Sequence, residues 1–263
     1  MALRLGKRKK PRREDKQLKF ALKITDKVLD DQTLKTLAEL LNAKRFKSLD
    51  YAVSQGKEAV VFRATRHDGS FVAIKVFKFE TTAFRNIVPY IDGDPRFDIE
   101  HARHNKRALV KIWARKEFSN LRSAFEHGVA VPQPLALKEN IIVMQFVGEG
   151  GRPFALLSEV VVQNPPAVFE KILISVKKLY AAGIVHADLS PFNIMVAQRE
   201  TGGGLEEEPV LIDLAQGVSI RHPKAQEFLE RDMRQLIKFF SKLGVEKDEG
   251  EVLGFVKSGR ERV

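Results

Sequence analysis

The chain has 263 residues, 44% of them apolar and 30% charged, an ordinary balance for a globular protein with length for one large domain or two lobes. It contains no cysteine, which excludes disulfides and thiolate metal sites, and no apolar run approaches the roughly 18–20 residues that cross a bilayer. The formal charge of +11 is uneven: residues 1–20 hold nine Lys and Arg against Glu14 and Asp15, a net +7, which leaves +4 for all the rest. That basic flexible tail has no apolar stretch behind it, so it does not read as a secretory signal. Absent cysteine suits a reducing compartment, and a cytoplasmic location is the expectation. The tail can release counterions from a nucleic-acid backbone; the other reading is a solvated leader.

Beyond the tail, Leu34, Leu37, Ala38, Leu40 and Leu41 predict an amphipathic helix over 33–44, with Asp31 as its cap. From Leu49 the pattern turns to β, in Tyr51–Val53, Val60–Phe62 and Phe71–Phe77, the last two joined by the turn His67-Asp-Gly-Ser70. The first turn is Ser54-Gln-Gly-Lys-Glu-Ala59. Its backbone N–H groups around Ser54 and Gly56, with the Lys57 charge, could wrap phosphate oxygens; an ordinary hairpin turn is the alternative. Lys75 lies within the apolar Ala73-Ile-Lys-Val76 and needs a partner if buried, or faces solvent with Ala73 and Phe77 on an alternating strand.

Residues 80–107, with the turn-rich Asp92-Gly-Asp-Pro-Arg-Phe-Asp98, read as a long mobile loop. A helix is predicted from Lys106 to Glu126, and its Glu117 is the chosen partner for Lys75. A hairpin about Lys138-Glu-Asn140 follows, then Gly148-Glu-Gly-Gly-Arg-Pro153, a swivel that divides residues 21–147 from 148–263. In the second part, Val168, Phe169, Ile172, Leu173, Val176, Leu179 and Tyr180 share one face of a helix over 166–182, stopped by Gly183. Thr201–Pro209 reads as an exposed hairpin tip, and a helix spans 224–243.

Two apolar runs deliver polar groups to their ends. Ile184–Met195 presents His186, Asp188 and Asn193 from one loop, and Leu211-Ile-Asp-Leu214 presents Asp213. H-x-D-x-x-x-x-N followed by an isolated Asp supplies what phosphoryl transfer needs: a carboxylate at the attacking hydroxyl, and an amide oxygen plus a second carboxylate for Mg²⁺. A polar turn whose Asp and Asn merely cap backbone is the other reading.

With Lys116-Glu-Phe118, Met144-Gln-Phe-Val147 and His222-Pro-x-Ala-x-Glu-Phe-Leu-x-Arg-Asp232, these motifs resemble the RIO family of atypical protein kinases across roughly residues 45–243. Ala187 and Gly93-Asp-x-Arg-Phe-Asp98 resemble its type-one subfamily. The resemblance implies an α+β, two-lobed kinase-like fold, with a small β-rich N-lobe, a helical C-lobe and no long activation segment after Asp213. It implies ATP in the cleft with Mg²⁺ or Mn²⁺, Asp188 as catalytic base, Asn193 and Asp213 as metal ligands, and Lys75 on the phosphates. Backbone near Gln145 and Val147 is expected to bind adenine, although Gln145 stands where an acid is usual. The implied role is in small-ribosomal-subunit maturation, with the tail on rRNA or a pre-ribosomal particle. Three functions follow from different classes: a Ser/Thr kinase with an external protein substrate, an ATPase switch in which Asp213 or water receives the phosphoryl group, and a silent RNA-binding scaffold.

Overall fold

The computed structural model describes residues 29–79, 84–97, 100–102, 105–202 and 204–260; the basic tail lies outside them. Helix α1 (Asp31–Asn42) starts at the residue predicted as its cap, because the cap is Asp30, one residue earlier, which accepts the Thr33 N–H at 2.8 Å. Strands β1 (Ser48–Gln55), β2 (Ala59–Thr65), β3 (Phe71–Phe77), β4 (Pro134–Lys138) and β5 (Ile141–Gln145) form one antiparallel sheet in the order β1-β2-β3-β5-β4. Alternation along β3 serves two cores. Val72, Ile74 and Val76 pack with Leu37 and Leu40 of α1, while Ala73 and Phe77 join the larger core on the opposite face.

That opposite face is covered by α3 (Lys106–Glu126), capped by Asn105, whose side chain accepts the Ala108 N–H at 3.1 Å. Between β3 and α3 the expected loop is not continuous. Helix α2 (Phe84–Ile91) and a short 3-10 turn at Glu100–Ala102 occupy part of it. Pro89 and the Asp92-Gly-Asp run hide this helix in the sequence, yet Ile87 and Ile91 reach the core, and that burial supplies what propensity does not.

The chain crosses through β6 (Gly148–Glu149) and β7 (Arg152–Pro153), a hairpin docked back on the sheet. Arg63 donates to the Gly151 carbonyl at 2.9 Å while lying between the Tyr51 and Phe71 rings, 4.6 and 4.4 Å from their centroids. A Cβ on Gly151 would meet the Arg63 Nη1 at 2.4 Å, and its φ of +77° favours glycine as well. Strand β8 (Ala155–Leu156) then pairs with Met195 and Val196.

The helical part is centred on α4 (Pro165–Ala181), which buries Val168, Phe169, Ile172, Leu173, Val176 and Leu179 as its pattern predicts. Strand β9 (Ile184–Val185) pairs with β12 (Val218–Ser219), and β10 (Ile194–Thr201) with β11 (Gly204–Leu211). Helix α5 (Ala225–Ser241) follows closely on β12, and α6 (Glu249–Lys257), which no sequence signal singled out, packs on α4 and α5.

The expected exposed tip at 201–209 is mostly ladder, and Glu207 is buried. Its carboxylate accepts the N–H groups of Gln163 at 3.0 Å and Asn164 at 2.9 Å ahead of α4, and the Gln198 amide at 2.8 Å. Burial opposes ionisation there, but these donors outweigh it and hold the carboxyl below the usual glutamate range. Glu207→Ala is expected to cost about 1–3 kcal/mol in chemical denaturation at neutral pH. Because the folded value is depressed, the contribution is complete above the unfolded glutamate value and is lost as pH falls through the folded one. The gap between variant and wild type therefore closes in acid.

Candidate active site

The face of β3 shared by Ala73, Lys75 and Phe77 is not the solvent face: α3 covers it, and Lys75 is 5% exposed. An ammonium there must be paired. Its Nζ donates to Oε1 of Glu117 on α3 at 2.9 Å, with Oε2 at 2.8 Å, and to Asp213 Oδ1 at 2.9 Å. The predicted Lys75–Glu117 pair is therefore present, and Asp213 is a third member. Burial alone would depress the Lys75 ammonium, but Asp213 and Glu117 outweigh it and keep it charged. Burial pushes the Glu117 carboxyl up to about 7, against the pull of the Lys75 ammonium 2.9 and 2.8 Å from its two oxygens. Asp213 is held below its ordinary value, since Lys75 outweighs its burial. Its side chain remains 48% exposed to the cleft.

The loop 186–193 faces this cluster between β9 and β10. Asn193 Nδ2 donates to the Asp188 carbonyl at 2.8 Å and to its Oδ2 at 3.2 Å, and Gln216 Nε2 donates to the same Oδ2 at 3.1 Å. Burial and the nearby Asp213 charge raise the Asp188 carboxyl. His186 Nε2 meets the Ile212 carbonyl at 3.1 Å, so that nitrogen bears the proton; burial lowers the ring to about 4 and it is neutral. His186 thus ties the two motif segments together rather than facing a reactant. Asp232 of α5 accepts the N–H groups of Ala187 at 2.8 Å and Leu189 at 3.0 Å. This fixes a turn in which Ala187 takes φ +63°. Burial, opposed by those two N–H groups, raises the Asp232 carboxyl to about 7.

Two further residues of α3 reach the segment after Asp213. Lys116 is fully buried and donates to the Ala215 carbonyl at 3.0 Å and to that of Gly217. Burial lowers its ammonium to about 7. Asn120 donates to Leu214 O at 2.9 Å and Gly217 O at 2.7 Å.

Lys75, Glu117, Asp213, Asn193 and Gln216 border one cleft of about 580 Å³, within the roughly 300–1,000 Å³ of small-molecule sites. Its lining includes Ser54, Gly56, Lys57, Lys75, Glu117, Gln145, Val147, Asn193 and Asp213; Asp188 stands behind Asn193 and Gln216. Val61, Ala73, Met144, Met195 and Ile212 give it apolar walls, a slot for a flat ring. The Gln145 side chain turns back to the Gln133 N–H at 3.2 Å, so an acid is not required there to shape the strand. Sequence reasoning missed Gln216, Asn120 and the role of Lys116, and also Glu58, a cleft residue whose carboxyl burial and Asp213 raise. The only trace of Gln216 and Asn120 in the sequence is their spacing from Asp213 and Glu117.

An antiparallel sheet with a covering helix, a helical second part and a lysine–carboxylate cluster between them define a protein-kinase-like fold. It resembles the solved structure of Rio2 kinase from Chaetomium thermophilum in an ADP/Mg²⁺-phosphoaspartate complex, with TM-score 0.69 and 21% identity over 86% of this chain and 66% of that one. A family model described as the RIO domain matches residues 60–252, and the chain belongs to the RIO family. It is 38% identical to the RIO-type serine/threonine-protein kinase Rio1 of Haloferax volcanii, over 89% of this chain and 77% of that protein. It is 37% identical to the Rio1 kinase of Methanocaldococcus jannaschii, over 94% and 82%. The protein is thus an enzyme of the RIO-type serine/threonine kinase class.

Removing one partner of a buried pair strands the other. Lys75→Met is expected to destabilise by about 3–5 kcal/mol in urea unfolding, whereas Lys75→Met/Glu117→Met recovers most of that loss without recovering activity. Asp213, half exposed, is solvated in both variants.

Proposed function

We propose that this chain transfers the γ-phosphoryl group of ATP, with residues 21–147 covering the nucleotide and 148–263 supplying the chemistry. One observation supports this above all: Lys75 joins Glu117 to Asp213 on one side of the cleft that Asn193 borders on the other, with Asp188 held directly behind it. Lys75 is the group for the phosphates, with Ser54, Gly56 and Lys57 over them, and backbone at Gln145 and Val147 for adenine. Asp188, its carboxyl raised and its orientation held by Asn193 and Gln216, is suited to take a proton from an attacking hydroxyl.

Asp213 and Asn193 fit a hard divalent ion. Asn193 commits its nitrogen to Asp188 and so offers its oxygen, and Asp213 offers a carboxylate, an oxygen set suited to Mg²⁺ or Mn²⁺ shared with phosphates. When bound, such an ion neutralises phosphate charge.

The acceptor we favour is Asp213 itself, in an ATPase switch that acts in small-subunit maturation. Its side chain is 48% exposed to the cleft, and α5 opens at Ala225, which leaves little chain to build a platform for a peptide. A carboxylate oxygen of Asp213 forms the bond to phosphorus as the bond to the leaving ADP oxygen breaks. No proton need be removed, so Asp188 is needed only for transfer to hydroxyls or for the later hydrolytic water. Asp188→Asn is expected to lower transfer to serine or threonine by about 10²–10⁴ while ATP still binds. In that variant an acid-labile phosphate should still form and accumulate, and borohydride trapping with mass spectrometry should place it on Asp213. If no labile phosphate forms while the wild type stably phosphorylates a partner protein, the plain protein-kinase reading replaces the switch.

The basic tail is proposed to bind rRNA on the pre-ribosomal particle. Deleting residues 1–13 removes Arg4, Lys7, Arg8, Lys9, Lys10, Arg12 and Arg13. The log–log salt slope for single-stranded RNA is expected to become shallower by up to about 5, at roughly 0.7 per contact, with ATP turnover unchanged. An unchanged slope would reduce the tail to a solvated leader.

A further inference from the structure

Lys116 is the residue whose burial the phosphoryl-transfer reading leaves unexplained. It is 0% exposed, and among the described residues no carboxylate lies within ion-pair distance of it. An ammonium in that position is costly beside a methionine of similar shape, so its polar contacts must explain its presence. Those contacts are the carbonyls of Ala215 and Gly217, with the Trp113 ring centroid 5.2 Å from the nitrogen. Asn120, one turn along the same helix face, holds Leu214 O and the same Gly217 O. Its amide is oriented by Arg96, whose Nη1 donates to Asn120 Oδ1 at 2.8 Å and so leaves Nδ2 for the carbonyls. Gly217 permits the approach: a Cβ there would meet Asn120 Nδ2 at 2.9 Å.

The gripped segment starts from Asp213, which takes φ +60°, a conformation that an L-aspartate keeps only when its surroundings impose it. It also contains Gln216, whose amide holds the Asp188 carboxylate. We propose that Lys116 and Asn120 are positioning residues for both carboxylates: by fixing the carbonyls of residues 214, 215 and 217 to α3, they set Asp213 for the metal and, through Gln216, Asp188 for the acceptor. Glu117, between them on α3, reaches Asp213 through Lys75, so helix and metal-binding segment move as one body. This inference rests on Asp213 being a metal ligand.

The test measures binding of a fluorescent ADP analogue with and without Mg²⁺, alongside thermal midpoints. Mg²⁺ is expected to tighten binding to the wild type. In Lys116→Met and in Asn120→Ala that Mg²⁺-dependent gain should fall by about 10–100-fold, as when outer partners of metal ligands are removed, while metal-free affinity stays at the wild-type value. Gln216→Ala should keep the gain and lose rate only. A structural role alone would lower the thermal midpoint and leave the gain intact. If either folded variant keeps the wild-type gain, the proposal is overturned, and so it is if neither variant folds. Asp213→Asn separates the two failures: should it also keep the gain, the assignment of Asp213 to the metal is what fails.

Discussion

The constraint on which the structure depends is the ammonium of Lys75 in the middle of an apolar strand. Water cannot reach it, so charge must be brought to it, and the two carboxylates that arrive come from different parts of the fold. Glu117 is on the helix that covers the sheet; Asp213 lies beyond β11 in the helical part. One buried cation thereby specifies where α3 sits on the sheet and how closely the second lobe approaches it. Attraction in a poorly solvated site is stronger than at a surface, and so is the penalty for losing a partner.

The same geometry gives chemically identical groups different tasks. Asp213 is held in its ionised form by Lys75, while Asp188 feels burial and the negative charge of Asp213 and is shifted the other way. The first suits a ligand for a hard cation, and the second suits a group that takes up a proton. Glu58 is likewise raised by burial and by Asp213. His186, driven neutral, serves the backbone instead of the reaction.

Two of the four described non-glycine residues with positive φ lie at the same place. They are Ala187, next to Asp188, and Asp213 itself. Each is held by a buried side chain from a helix: Asp232 of α5 binds the N–H groups around Ala187, and Lys116 and Asn120 of α3 bind the carbonyls after Asp213. A carboxylate is used where N–H groups must be fixed, and an ammonium and an amide where carbonyls must be. The helices are therefore scaffolding in a specific sense, since each supplies the polarity complementary to the loop it holds.

The sequence by itself determined the motifs and most of the regular elements. The apolar run of β3, the apolar face of α4, and H-x-D-x-x-x-x-N with Asp213 are local patterns, and local patterns survive in one dimension. So did the Lys75–Glu117 pair as a candidate, because a lysine within an apolar strand needs a carboxylate if it is buried, and α3 offered one. What only the tertiary structure decided depends on burial by distant segments. The face of β3 bearing Lys75 could have been solvent until α3 covered it, and α2 has too weak a propensity to be read without the core that receives Ile87 and Ile91. Glu207 looks like one of three solvated glutamates until α4 starts beside it. Lys116 and Gln216 are the clearest cases. A lysine on a charged helix and a glutamine in a turn have no distinguishing pattern, and their roles arise from carbonyls and a carboxylate far away in the chain, brought within 3.1 Å by the fold.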